Sequence, residues 1–195
     1  MRIMACLVLA ATTLGAAGAS AQDYYFGITY DTCLPLEKTE EFVSDFSWLG
    51  LSLEGRKIVS PTTSVGFFFG WHEMDERVNE VVNVSPGVDI HADQQRYINS
   101  FPMMVTGHYY LGQQGQMRPY FGLGVGAYLI ERRNEFGVFL TDEDTWHFGL
   151  APEVGIAWKA GWQSAGIISV RFNWASPGGD EEEMYLNFRV GAAWM

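Results

Sequence analysis

Beyond residue 21 the chain has no run of 18 apolar residues, so no segment reads as a membrane-spanning helix. Cysteine is nearly absent. Cys6 and Cys33 are the two in the sequence, which excludes a disulfide-stapled framework. The four histidines, His72, His91, His108 and His147, form no H-x-x-x-H pair, and no C-x-x-C exists, so there is no zinc signature. Basic residues are scarce: 12 Lys and Arg stand against 23 Asp and Glu, for a net charge of −11. Such an acidic chain is excluded as a nucleic-acid binder. There is also no repeat of fixed period and no linker-like tract, so a single domain is expected.

The start of the chain reads as a signal peptide, residues 1–21. Arg2 supplies the positive charge, Met4 to Leu14 the apolar stretch, and Ala19-Ser20-Ala21 the small-residue cleavage pattern. The apolar stretch is about half the length of a membrane span. The domain is then residues 22–195, with Cys33 its one cysteine, read as an incidental loop residue.

What is abundant is aromatic residues, glycine and period-two alternation. From Trp146 to Lys159 one face carries Trp146, Phe148, Leu150, Pro152, Val154, Ile156 and Trp158. The other carries His147, Gly149, Ala151, Glu153, Gly155, Ala157 and Lys159. A half-buried strand sorts its residues this way. Similar sorting recurs around Tyr24–Tyr30, Leu49–Leu53, Val65–Trp71, Phe101–Tyr109, Phe121–Leu129, Ile168–Trp174 and Met184–Trp194. That makes eight strands, with Pro102 expected to bulge or break the fourth. Short connections near 55–62, 112–117 and 159–163 alternate with long ones near 31–45, 73–95, 131–144 and 176–183. Alternating lengths and an even strand number predict an all-β, eight-stranded antiparallel up-and-down transmembrane barrel. Its outer face would be apolar and its lumen small or polar, with Tyr24, Trp71, Trp146, Trp158, Trp174 and Trp194 near the interfaces. A water-soluble barrel with the apolar face turned inward is the alternative. It would overfill an eight-strand interior.

Arg118-Pro119-Tyr120-Phe121-Gly122-Leu123-Gly124-Val125-Gly126-Ala127 resembles a glycine-alternating strand of the small outer-membrane β-barrel domains (OmpA-, OmpX- and OmpW-like). Phe148 to Gly155 is similar to the strand that follows it there. Asn187 to Trp194 resembles the closing insertion signal, with Met195 at the usual aromatic position. This resemblance implies the outer membrane of a Gram-negative bacterium, with membrane lipid, lipopolysaccharide and the barrel assembly machinery as partners. Some such barrels are lipid A hydrolases. The nearest stretch here, Arg171 to Ser176, has no histidine to activate its serine, so no enzyme is expected. The glycines at 122, 124 and 126 have the wrong spacing for a phosphate loop and open no helix.

Two constellations remain. A tight turn near Trp162 would set Glu153 opposite Arg171, and a loop centred near Asp180 would set Arg171 opposite Arg189. All three share the inward parity, predicting a structural charge row across the lumen, with Glu54 offsetting the second arginine from across the barrel. All acids except Asp23, Glu54 and Glu153 fall in the long connections. The loop Asp180, Glu181, Glu182, Glu183 is a candidate for weak Ca²⁺ or Mg²⁺ binding, since carboxylates suit hard cations. No other cofactor is expected. The function expected is a structural or surface-interaction barrel with acidic outer loops and a closed polar lumen. A narrow pore for small or apolar solutes is the alternative. The extracellular ligand is left open.

Overall fold

A computed structural model describes residues 24–85, 88–112, 117–136, 139–178 and 181–194. The expected signal peptide and Asp180 lie outside the described residues. Eight strands run in order: β1 (Tyr24–Leu36), β2 (Leu49–Ser60), β3 (Thr63–Ser85), β4 (Val88–Tyr110), β5 (Arg118–Phe136), β6 (Phe139–Lys159), β7 (Ser164–Gly178) and β8 (Glu181–Trp194). One short helix, α1 (Lys38–Phe42), joins β1 to β2. Each strand pairs antiparallel with the next, and β8 pairs with β1 from Phe26↔Trp194 to Leu36↔Met184, closing the barrel.

The alternation explains why the chain closes this way. Phe26, Ile28, Leu51, Phe67, Phe69, Val125, Phe148 and Val154 point outward and are exposed. Their neighbours in sequence point inward and are buried or half-buried. Every strand repeats this, so the outer wall is a continuous apolar band far larger than water tolerates on a monomer. The soluble alternative therefore falls, because the apolar faces point out. Tyr24, Trp71, Trp146 and Trp194 are exposed toward the ends of the band, while Trp158 and Trp174 are half-buried.

Three expectations are corrected. First, the long connections are mostly strand. β3 and β4 stay paired from Thr63↔Tyr109 to Ser85↔Val88, and β5 and β6 from Arg118↔Ala157 to Phe136↔Phe139. Likewise β7 and β8 reach Gly178↔Glu181. Alternation of apolar and polar residues marks a strand only where one side meets lipid. Above the band that contrast is lost, and the ladder continues through largely polar sequence. Second, Pro102 interrupts the β3–β4 ladder, which lapses between Phe69↔Met103 and His72↔Ser100, but it neither bulges nor ends β4. The register is the same on both sides of it, Phe69↔Met103 and His72↔Ser100. Gly70 leaves the room: a Cβ there would lie 3.0 Å from Pro102 Cγ. Third, the interior is not merely small and polar. Phe68, Met74, Ile98, Met104, Tyr128, Ile130, Ile167 and Tyr185 are buried inside it. Glycines give them space; a Cβ at Gly149 would overlap the Tyr128 ring, 2.0 Å from its Cε2. Cys33 is likewise an interior strand residue rather than a loop one, and its Sγ accepts a hydrogen bond from Asn187 Nδ2 at 3.0 Å.

A closed barrel has no frayed edge through the band, so it resists detergent until boiled. The folded protein should run faster on a detergent gel unheated than boiled. Equal mobility in both lanes would argue against closure.

Candidate functional site

The centre of the barrel holds three arginines and three carboxylates, all nearly or fully buried. Glu153 on β6 sits directly opposite Arg171 on β7. It accepts from Arg171 Nε at 3.0 Å and from Arg171 Nη2, from Arg189 Nη1 at 2.9 Å, and from the Tyr120 hydroxyl at 2.6 Å. Arg189 on β8 also donates to Glu54 at 3.2 Å and Thr29 at 3.1 Å, and lies 3.5 Å from Asp31. Arg56 pairs with Glu54 at 2.9 Å and lies 3.8 Å from Glu153. Three charges of each sign thus meet in a closed space, the condition under which buried ions are tolerated.

Arg171 does not face Arg189 as expected. Arg171 pairs with Asn187, and Arg189 with Ser169: the hairpin tip pairs Gly178 with Glu181, one residue off a centre at Asp180, and the register shifts by one more between Ala175 and Gly178. Both guanidinium groups reach Glu153, and Phe68 lies beneath both. The Arg171 Cζ is 3.6 Å and the Arg189 Cζ 4.9 Å from its ring centroid. Such contacts are strongest where water is excluded. The sequence does not mark Arg56 or Phe68 as members of the cluster: Arg56 lies beyond the alternating stretch Leu49–Leu53, and Phe68 stands between Phe67 and Phe69. Asp31 has the inward parity of Gly27 and Thr29 but stands at the start of a long acidic connection.

Above this cluster, His72 Nε2 contacts Asp31 at 3.0 Å and His72 Nδ1 contacts the Tyr185 hydroxyl at 3.0 Å. Tyr185 also meets Ser100 Oγ at 2.9 Å. The order of groups suggests a nucleophile relay, but Ser100, His72 and Asp31 are all fully buried, and Tyr185 stands between serine and histidine. The arrangement fills space and satisfies polar atoms. His147 is bonded elsewhere, to the Ser176 carbonyl at 2.7 Å, so the two histidines serve separate places.

The mouth is capped by α1. Val43 is buried beneath it, and the Phe42 ring lies 5.6 Å from the Arg96 guanidinium and 5.2 Å from that of Arg132. Thr39 Oγ1 donates to Glu183 Oε2 at 2.5 Å and accepts from the Met184 N–H at 2.8 Å. Ser44 is tied to Glu76 through N–H and hydroxyl, at 2.7 and 3.0 Å. One short segment is thereby fastened to β3, β4, β5 and β8.

The acidic quartet is therefore split. Glu183 is buried and turned inward to Arg132 and Thr39, so it is not an open loop ligand. Glu182 accepts from Trp174 Nε1. Of Glu181 only the backbone position is described. Among the described residues no group of three or more His, Cys, Asp or Glu is placed to hold a metal ion.

Beyond the mouth, the pairing of β2 with β3 ends at Leu49↔Glu73, and that of β6 with β7 at Gly149↔Ala175. Strands β3 to β6 continue upward as a four-stranded sheet. Among the described residues, β6 from Phe139 to Phe148 pairs with β5 and with no second strand.

No protein-family model and no curated protein matches the chain. Solved structures do match. The Neisserial surface protein A shares 13% identity with a TM-score of 0.52, over 91% of this chain and 99% of that one. Ail, the attachment invasion locus protein of Yersinia pestis, shares 13% identity with a TM-score of 0.50, over 88% and 97%. In fold, the chain is a small eight-stranded barrel of the outer-membrane kind, similar to these two proteins.

Proposed function

We propose that this protein is a surface-interaction barrel of a Gram-negative outer membrane: an anchor closed to solutes that holds a sheet out for contact with a partner. The observation that carries this reading is the protruding β3–β6 sheet with its β6 edge from Phe139 to Phe148, which among the described residues pairs with no second strand. An open edge of ten residues offers about 30 Å of backbone donors and acceptors. Natural proteins usually cover or shorten such an edge. Left open, it can add an extended strand from another protein, with main-chain hydrogen bonds supplying the affinity. The exposed Glu143 and Asp144 on that edge select against acidic partners and keep copies of the barrel apart.

The buried ion cluster and the capped mouth support a closed lumen over a narrow pore for small or apolar solutes. The outward apolar band suits membrane lipid, including lipopolysaccharide at the outer face, with insertion by the barrel assembly machinery.

The test displays the barrel on a heterologous bacterium and measures adherence to epithelial monolayers and immobilised matrix proteins. A companion variant has both tall hairpins cut back, β3–β4 to Asp75/Tyr97 and β5–β6 to Ile130/Thr145. The trimmed barrel should keep its heat-dependent gel shift and lose most of the adherence. Equal adherence of the two would remove the sheet from the reading. Proline substitution in turn at Thr141, Asp142, Glu143 and Asp144 should then weaken binding at the positions whose N–H faces outward.

A further inference from the structure

Below the ion cluster, at the end opposite α1, the lumen narrows onto a layer of tyrosines. Tyr25 and Tyr120 are buried there and pack with Ala165, Ile167 and Ala193. Arg56 lies against both rings, its Cζ 5.9 Å from the Tyr25 centroid and 5.0 Å from that of Tyr120. Its Nη2 donates to Glu54 at 2.9 Å, and its Nη1 donates to the Tyr110 hydroxyl at 2.8 Å. Tyr110 is thereby fixed, and its ring becomes a platform for the last arginine before the opening. The Arg118 guanidinium lies 4.6 Å from the Tyr110 centroid, and its Nη2 donates to the Pro61 carbonyl of the β2–β3 turn at 2.5 Å.

Arg118 is held in place with donor capacity left over. It shares the inward parity of Tyr120, and its Nε is buried with no hydrogen-bond partner among the described residues. Lys159 has the inward parity of Glu153 and is exposed at the same end of the lumen. The walls beside these cations are small: Arg118 is paired in register with Ala157, and Lys159 with Ala165. Arg118 and Lys159 are thus diagonal neighbours on adjacent strands, about 7–8 Å apart at the backbone, close enough for two long side chains to converge on one group. No acid occurs in the three short connections, residues 61–62, 111–117 and 160–163, and Glu54 and Glu153 are buried in the cluster. What this end of the lumen lacks is an acceptor carrying negative charge.

We propose that the short-turn end of the lumen binds a small soluble oxyanion, with phosphate as the type, between Arg118 and Lys159. The guanidinium presents a planar fork of N–H donors that matches phosphate or sulfate, and Lys159 adds a point charge. The two alanines leave the space that the anion takes. The chain has a net charge of −11, so it has no general attraction for anions, and a local pair of cations must supply it. The site is blind, because Arg56 and the rings of Tyr25 and Tyr120 fill the lumen above it. It lies at the opposite end of the barrel from the strand-addition edge and does not rest on that reading.

The test titrates inorganic phosphate into the folded barrel at neutral pH in a maltoside detergent, which carries no phosphate, and follows the ³¹P line width. Wild type should broaden the line saturably, with one phosphate per barrel and half-saturation at about 1 mM or below. Arg118→Gln should weaken binding about tenfold, and Lys159→Gln about threefold. Ala157→Leu fills the space across from Arg118 without removing charge, and should weaken it as well. Lys57→Gln, an exposed cation on the outer wall, should leave it unchanged. Should Arg118→Gln fail to give the heat-shifted band, Arg118→Lys keeps the charge and loses the fork, and should weaken binding severalfold. No saturable broadening by wild type would overturn the proposal. So would binding that survives Lys159→Gln and the Arg118 substitutions, or an equal loss in Lys57→Gln, which would mark diffuse surface charge.

Discussion

Glu153→Ala should destabilise the folded barrel by about 3–5 kcal/mol in a urea titration, the usual cost of leaving buried charge uncompensated. Glu153 is the carboxylate on which the cluster converges: Arg171 and Arg189 both donate to it, Arg56 lies 3.8 Å away, and Tyr120 gives its hydroxyl proton. Without it Arg171 loses its carboxylate partner, and three cations face Glu54 and Asp31 alone. Glu153→Gln keeps the shape and part of the hydrogen bonding, so it should cost less. Glu143→Ala, at an exposed position beyond the mouth, should fall within about 0.5 kcal/mol of wild type. Equal stability of the Glu153→Ala and Glu143→Ala proteins would mean that water hydrates these charges one by one. The closed-lumen reading would then give way to a pore.

The second large effect belongs to Phe68→Ala, expected to cost about 3–5 kcal/mol through the cavity and the lost ring contacts. The ring is 2% exposed and supports two guanidinium groups. Phe68→Leu fills much of the same volume without a π face, and should cost about 1–2 kcal/mol. Phe67, one residue earlier, points outward and is exposed. Lipid can fill the space it leaves, so Phe67→Ala should cost far less than Phe68→Ala. Equal losses for the two would show that interior packing around Phe68 does not hold the cluster.

Phe68 also shows where sequence reading stops. Alternation is legible when the two faces differ in kind, as along Trp146 to Lys159. In Phe67-Phe68-Phe69 both faces are aromatic, so parity alone assigns the middle ring. The same limit hides the upper sheet: from Glu73 to Gln95 the sequence shows no sustained apolar face, and no contrast marks the strand although its backbone pairing persists. The Glu153–Arg171 register could be worked out because a tight turn leaves little freedom. Arg189 is not placed by the same arithmetic, because the β7–β8 hairpin turns one residue earlier than a centre at Asp180 and its register shifts by one more between Ala175 and Gly178. The helix α1 had no signal at all. Five residues are too few for a periodic pattern, and its hold on the mouth comes from Thr39, Phe42, Val43 and Ser44 meeting side chains far away in sequence.

The seam between the first and last strands has a consequence for how the molecule completes itself. Asp31 on β1 lies directly across from Arg189 on β8, and farther up Thr39 meets Glu183. These partners come from opposite ends of the chain and can meet only when all other strands are in place. A slip of one residue at this seam would turn Arg189 toward lipid and bring Phe188 inside. A ring closed in the wrong register would therefore carry an unpaired cation in its wall and an unmet carboxylate in its core. Closure thus proofreads itself: the barrel seals when the count of strands and their offsets are right, and a miscounted ring stays open to be retried or degraded.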